Sequence, residues 1–320
     1  MKIVISDCDH STIEQETAVT AAANLPAPAW LQCKTEDDVI RDCKGATSII
    51  NQYAPMTRKV FAALAPELKQ VVRYGVGVNN VDLVAATEFG VQVCNVPDYG
   101  MNEVSDHTLA LMMTMARKIV FMANKVKAGE WDYQPSIPLF RLCEQTVATV
   151  GMGRNGRLFA KKAAALGCRM IAHDAYYKPA PGENTGVEMV SLEELIKQAD
   201  FVVINCPLTD ETRNMFSDDA FKKMKKTAYI INASRGGIID EAALARALES
   251  GEIAGAALDT TEKEPLQGDS PLRKFDNCII TPHMAWYSEE AAKELKRKAA
   301  EEAVRMVTGQ AVQYPVNKLA

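Results

Sequence analysis

Short apolar runs alternate with amphipathic stretches along most of this chain. In the first hundred residues the runs fall at 2–6, 46–51, 71–74 and 91–94, with Gly and Asn clusters between them. Continuous apolar runs separated by helical spacing predict strands buried on both faces and joined by crossover helices, hence a parallel α/β sheet. A stretch rich in Leu, Met and Ala over residues 102–128 predicts one long helix. It is apolar on more than one side, as a helix in a core or an interface would be. A second α/β series opens at 145–150 and continues with apolar runs at 168–173, 201–205, 228–232, 255–259 and 278–281. A last helix, dense in Glu, Lys and Ala, is predicted over 289–308. No repeat of solenoid period and no low-complexity segment interrupts this.

The most informative stretch is TVATVGMGRNGRLFAKKAAALGCRMIAHD. A β-run ends at Val150, and Gly151, Gly153 and Gly156 follow in the spacing G-x-G-x-x-G. A helical pattern then ends at Gly167, read as its C-cap, and a second β-run ends at Asp174. Gly151 permits a tight turn, Gly153 lets a pyrophosphate approach the backbone, and Gly156 lets helix and strand pack closely. The helix start offers N–H groups and a positive dipole end to phosphates, with Arg154 and Asn155 in its first turn. Asp174 would accept from ribose hydroxyls and repel a 2′-phosphate, which favours NAD (NADH) and makes NADP the lesser cofactor; Lys178 and Arg154 nearby soften that preference.

Composition narrows the class. The chain has 320 residues, 48% hydrophobic and 24% charged, enough for two domains. The net charge of -5 and the lack of a basic block leave no footprint for nucleic acid or an anionic membrane. Eight cysteines are scattered without C-x-x-C spacing, so neither a metal site nor a disulfide scaffold is expected, and reduced thiols point to a cytoplasmic protein. The start, MKIVISDCDHST, lacks the apolar run of a signal peptide, and no window has about 18 uninterrupted apolar residues.

Three further segments close predicted strands: IINASRGGIIDE, ALDTTEKEP and IITPHMAW. Strand carboxyl ends gather at the ligand crevice of a doubly wound sheet, so Arg235, Glu264 and His283 could converge. Reduction of a 2-oxo acid needs a cation for the carboxylate and carbonyl, which Arg235 would supply. It also needs a proton donor for the alkoxide, which His283 would supply, and a carboxylate, Glu264, to orient that ring. Taken singly, each of the three also has an ordinary reading as a surface or loop residue. The joint pattern carries the argument.

With RYGVGVNNVD, VCNVPDYGMNEVSDHTLALMM, VGMGRNG, INASRGG, the acid of KEP and TPHMAW in this order, the chain resembles the D-2-hydroxyacid dehydrogenase family over nearly its whole length. The resemblance implies two Rossmann-like, doubly wound parallel-sheet domains, one flavodoxin-like and one NAD-binding, with a cleft that closes on substrate. It places a discontinuous substrate domain at 1–98 and 286–320 and the NAD domain at 99–285, with 102–128 as a crossover and homodimer helix. It implies cofactor contacts from Val76, Gly151, Gly153, Arg154, Asn155, Gly156, Asp174, Cys206, Pro207, Thr212, Ala233, Ser234, Arg235, Asp259, His283 and Ala285. For a small 2-hydroxy or 2-oxo acid substrate it implies Tyr53, Arg73, Gly75, Val76, Gly77, Arg235, His283 and Trp286. TPHMAWYSEEA and VRYGVGVNNVD look most like the C-terminal-binding-protein branch, which opens an alternative: an NAD(H)-sensing binding protein like the corepressors of that branch. Tyr53 stands where phosphoglycerate dehydrogenases tend to carry a basic residue, and the end at residue 320 leaves no room for an appended regulatory domain. Glu264 argues against formate dehydrogenase activity.

Overall fold

The computed structural model describes residues 2–180 and 185–319. The chain divides into two compact units, Met1–Gly100 with Ser288–Ala320, and Met101–Tyr287.

The first unit is built on five strands: β1 (Ile3–Ile5), β2 (Ala29–Trp30), β3 (Ser48–Asn51), β4 (Gln70–Arg73) and β5 (Gln92–Cys94). They pair in parallel in the order β2-β1-β3-β4-β5. The strands were predicted from uninterrupted apolar runs because both faces are covered. Val4, Ile49, Val71 and Val93 pack with Val60 and Phe61 on one face, and the helix Glu289–Val307 lies against β3 and β4.

The second unit adds β6 (Thr146–Val150), β7 (Arg169–His173), β8 (Glu188–Met189), β9 (Phe201–Ile204), β10 (Tyr229–Asn232), β11 (Gly255–Leu258) and β12 (Cys278–Ile280). Their order is β12-β11-β10-β9-β6-β7-β8, all parallel. Alternate residues of these strands fill two cores. Ala148, Val202, Ile230 and Ala256 join Leu195, Phe221 and Leu244, while Val147, Val203, Ile231 and Ala257 join Met112, Met115 and Phe159. Side chains do much of the local punctuation. Ser191 and Glu194 form a reciprocal capping box, and Asp240 caps its helix by accepting from the Ala243 N–H.

Two sequence expectations change. The single helix over 102–128 is two helices, Met101–Arg117 and Ile119–Lys127. Lys118 breaks it in the left-handed region at φ 50, a conformation that costs a non-glycine residue about 1–2 kcal/mol. The first helix buries Leu111, Met112 and Met115; the second buries none of its residues. The helix after the glycine turn ends at Ala164 with Ala165 as its C-cap, and Gly167, at φ 83, turns the chain two residues later. The strands β2 and β8, two residues each, are too short to leave a periodic signal. No helix among the described residues is long and apolar enough to cross a membrane.

Phe159 is fully buried in the second unit. Phe159→Ala should lower that unit's stability by about 3–5 kcal/mol, read as a drop in the melting transition by near-UV circular dichroism.

Candidate active site

The order of strands in the second unit reverses between β6 and β9. The carboxyl ends of strands flanking such a reversal bound the ligand crevice of an open parallel sheet. The three glycines stand there, and each meets a different steric demand. Gly151 has φ +103, and a Cβ on it would lie 2.7 Å from the Asn205 carbonyl. A Cβ on Gly156 would lie 2.0 Å from the Gly151 oxygen, so helix and turn touch through this residue. A Cβ on Gly153 would meet nothing within 4 Å. Gly153 is the N-cap of the helix Arg154–Ala164, and no side chain caps that start. An open approach to a helix start carrying Arg154 and Asn155 is what a pyrophosphate requires.

Asp174 follows β7. Its Oδ2 accepts from the Met152 N–H at 2.7 Å, and its Oδ1 from the Tyr176 and Tyr177 N–H groups at 2.8 and 2.9 Å. Partial burial works against its charge, but the three N–H donors outweigh it and hold the carboxyl below the usual carboxylate range. The acid is therefore held as an anion beside the glycine turn.

The loops after β9 and β10 brace each other. The Ser234 hydroxyl donates to the Cys206 carbonyl at 2.6 Å, and the Thr212 hydroxyl donates to the Pro207 carbonyl at 2.7 Å. Asn232, fully buried, accepts from the Ser234 N–H and donates to the Arg235 carbonyl, both at 2.9 Å. That pair of bonds shapes the turn Ala233–Ser234–Arg235. A Cβ on the next residue, Gly236, would fall 2.0 Å from the Thr261 carbonyl carbon, so this turn presses on the segment leading to Glu264.

Glu264 and His283 meet directly: Oε2 lies 2.6 Å from Nδ1. The other carboxylate oxygen accepts from the Thr261 N–H at 3.1 Å. Burial works against the Glu264 charge, but the His283 contact, the Thr261 N–H and the nearby Arg235 charge prevail and hold its carboxyl below the usual range. The imidazole side chain is 42% exposed, and Nε2 is the ring nitrogen not engaged by Glu264.

His283 has φ 52, and the strain is held by Asp259. The Asp259 carbonyl accepts from the His283 N–H at 2.9 Å. Its Oδ1 accepts from the Thr281 hydroxyl at 2.6 Å and the Met284 N–H at 3.0 Å; its Oδ2 accepts from the Ala285 N–H at 2.9 Å. Asp259 is 1% exposed. The sequence placed it among the cofactor contacts; in the structure it lies beneath the His283 loop with both oxygens occupied. His107, named by no sequence argument, completes the network with Nε2 3.1 Å from the Thr281 hydroxyl. Its signal was present in the segment MNEVSDHTLALMM. Trp286 packs edge-on against Tyr287, with ring centroids 5.5 Å apart.

The remaining expected residues belong to the first unit. Tyr53 follows β3 and is 60% exposed; Arg73 ends β4, and Gly75, Val76 and Gly77 follow it. The Arg73 guanidinium donates to the Tyr74 carbonyl. Gly75 has φ +124, a backbone conformation that favours glycine, and an added Cβ would also displace the Arg73 guanidinium. The carbonyls of Gly75 and Val76 accept from the Val96 N–H and the Asn95 side chain.

The second unit thus has the construction of a dinucleotide-binding dehydrogenase domain. Residues 109–285 match the model of the D-isomer specific 2-hydroxyacid dehydrogenase, NAD binding domain. The chain is 36% identical over 282 residues to a glyoxylate reductase of Korarchaeum cryptofilum, covering 87% of this chain and 84% of that protein. It is 39% identical over 269 residues to the chloroplastic D-3-phosphoglycerate dehydrogenase 2 of Arabidopsis thaliana, covering 84% of this chain and 43% of that protein. Of the similar phosphoglycerate dehydrogenases from Methanocaldococcus jannaschii and Archaeoglobus fulgidus it spans 59% and 54%. The TT0316 protein of Thermus thermophilus superposes with a TM-score of 0.88 at 31% identity, over 99% of this chain and all of that one. The chain belongs to the D-isomer-specific 2-hydroxyacid dehydrogenase family, and its second unit contains an NAD-binding domain.

Two outcomes follow. Gly156→Ala should weaken NADH binding at least tenfold, about 1.4 kcal/mol, in a fluorescence titration. The depressed Glu264 carboxyl adds stability that is present above its unfolded value, near pH 4.3, and lost as pH falls through its lower folded value. The melting temperature of the native protein should therefore exceed that of Glu264→Gln at pH 7, and the gap should close below about pH 4.

Proposed function

We propose that this protein is an NAD-dependent oxidoreductase for a small 2-hydroxy or 2-oxo acid. The observation that carries the reading is the 2.6 Å contact between Glu264 and His283, in the same unit as the glycine turn and Asp174. Bound NADH supplies the hydride, and NAD accepts one in the reverse direction. Arg235 anchors the substrate carboxylate and polarises the reacting carbonyl. His283 donates a proton from Nε2 to the oxygen as it gains charge and is left neutral; Glu264 orients the ring and favours its protonated form before the transfer. In the oxidative direction the neutral imidazole takes the hydroxyl proton. Within the first unit, Gly75, Val76 and Gly77 offer main-chain N–H groups, with Arg73 beside them, to a substrate carboxylate, and Tyr53 borders the side-chain end. The anionic Asp174 supports NAD over NADP.

The relatives named above include enzymes for glyoxylate and for 3-phosphoglycerate, and reduction of an unphosphorylated 2-oxo acid suits this chain better, since Tyr53 supplies no charge for a phosphate. Nothing in those relatives supports a corepressor-like sensing role. The eight free thiols favour a reducing compartment such as the cytoplasm.

We also propose a homodimer. The helix Ile119–Lys127 buries no residue, and Trp131, Tyr133 and Ile137 beyond it are 90%, 73% and 62% exposed. A cavity lined by Met115, Phe121, Pro135 and Tyr229 lies beside them. This many exposed large apolar side chains within one segment of the chain fit an interface. Light scattering should give twice the chain mass of 35.0 kDa; a monomer contradicts this.

The test of activity is NADH oxidation against glyoxylate, pyruvate, hydroxypyruvate, phenylpyruvate and 4-methylthio-2-oxobutyrate. Turnover on at least one is expected, and His283→Ala should lower kcat by about 10²–10⁴-fold. Full turnover by that variant would sink the mechanism.

A further inference from the structure

The polar rim at the carboxyl ends of β1, β3 and β4 holds, beside Tyr53 and Arg73, an acid that the chemistry above does not use. In the order β2-β1-β3-β4-β5 the direction of strand succession reverses between β1 and β3, so their carboxyl ends are the switch point of the first unit. Asp7, buried just beyond β1, shapes the turn after β3: its carboxylate accepts from the main-chain N–H groups of Gln52, Tyr53 and Ala54 and from the Asn51 side chain.

On that base sits a second acid. The Asp9 N–H donates to the Gln52 Oε1 at 2.9 Å, and the Gln52 Nε2 donates back to the Asp9 Oδ1 at 2.8 Å. The Tyr53 hydroxyl donates to the other oxygen, Oδ2, at 2.9 Å. Each oxygen of Asp9 is thus steadied by its own donor, one of them from a glutamine only 4% exposed. The Asp9 side chain nonetheless remains 52% exposed. Its ion-pair neighbour, the His10 Nδ1, is 3.8 Å away, and burial holds that imidazole below its usual value, against carrying a compensating charge. On the other side, Arg73 lies close enough for its charge to act on the Tyr53 phenol. The rim therefore carries an acid in the segment after β1, a phenol just after β3 and a guanidinium at the end of β4.

Within this unit, an acid whose carboxylate met the Arg73–Gly77 end would have Tyr53 and its partner Asp9 as neighbours of its side chain. We propose that Asp9, positioned by Gln52 and Tyr53, selects 2-oxo and 2-hydroxy acids whose far end donates hydrogen bonds or carries positive charge, and rejects those ending in carboxylate or phosphate. The inference rests on the oxidoreductase reading above. Attraction to the favoured end and repulsion of the disfavoured one act together, as selective sites require.

The experiment compares kcat/KM with NADH for 5-guanidino-2-oxopentanoate, 2-oxoadipate and the neutral 2-oxohexanoate, with glyoxylate as a substrate lacking a side chain. The native protein should favour the guanidino acid over 2-oxoadipate at least tenfold, since like charges in contact are strongly disfavoured. Asp9→Asn should bring that ratio within threefold by moving both charged substrates toward 2-oxohexanoate. Tyr53→Phe keeps the charge but removes one anchor and should narrow the ratio about threefold; it serves as the deciding variant if Asp9→Asn fails to melt cooperatively. A native preference for 2-oxoadipate, or a ratio indifferent to the folded variant, overturns the role of the rim while glyoxylate turnover upholds the reductase reading. Silence on all four acids overturns the reductase reading, and the rim assignment with it.

Discussion

Asp259 commits its whole carboxylate to the segment that carries His283. Its side chain has no solvent contact, yet it is surrounded by the Thr281 hydroxyl and the Met284 and Ala285 N–H groups. A buried carboxylate is tolerated only when such donors replace its water. The same donors pin a loop that must hold a histidine at positive φ, a conformation an unbraced chain would relax. The desolvated acid and the strained histidine are therefore one arrangement, and the direction in which the imidazole points depends on it.

Sheet register brings the other groups level with that loop. Asn232 pairs with Leu258, and Leu258 with Ile280, so β10, β11 and β12 finish side by side. The segments leaving them carry Arg235, Glu264 and His283, which are far apart in sequence but start from one edge of one sheet. Gly236 adds a backbone contact with Thr261 that only glycine allows. On the other side of the same sheet, the turn after β6 meets Asp174 through the Met152 N–H. Glu264, His283 and the glycine turn thus hang on the strands of one sheet, the arrangement that pre-organised chemistry would require.

What the sequence made legible follows from how local each requirement is. The glycines could be read because each meets a steric limit within a few residues of itself, and the strands because parallel sheets bury both faces. Arg235, Glu264 and His283 could be read as candidates because each follows a strand. Asp259 was visible as a residue, but its burial was not, because it is decided by Thr281 and the loop beyond rather than by its sequence neighbours. The bracing role of Asn232 was silent for the same reason, and His107 stood inside a recognised segment without a role of its own. Lys118 left no trace of the helix break, since lysine is an ordinary helix former. The link between Asp9 and Gln52 depends on β1 and β3 being neighbours in the sheet and has no signature at either position alone.

The central claim is hydride transfer to the second carbon of a 2-oxo acid at this site. It is tested most directly by incubating the protein with glyoxylate and NADH deuterated at the transferring position of the nicotinamide, then locating the label by mass spectrometry and NMR. The account predicts one deuterium bound to the carbinol carbon of glycolate for each NADH consumed. NADH consumed with no deuterium on that carbon, or glycolate labelled only from solvent, would contradict it.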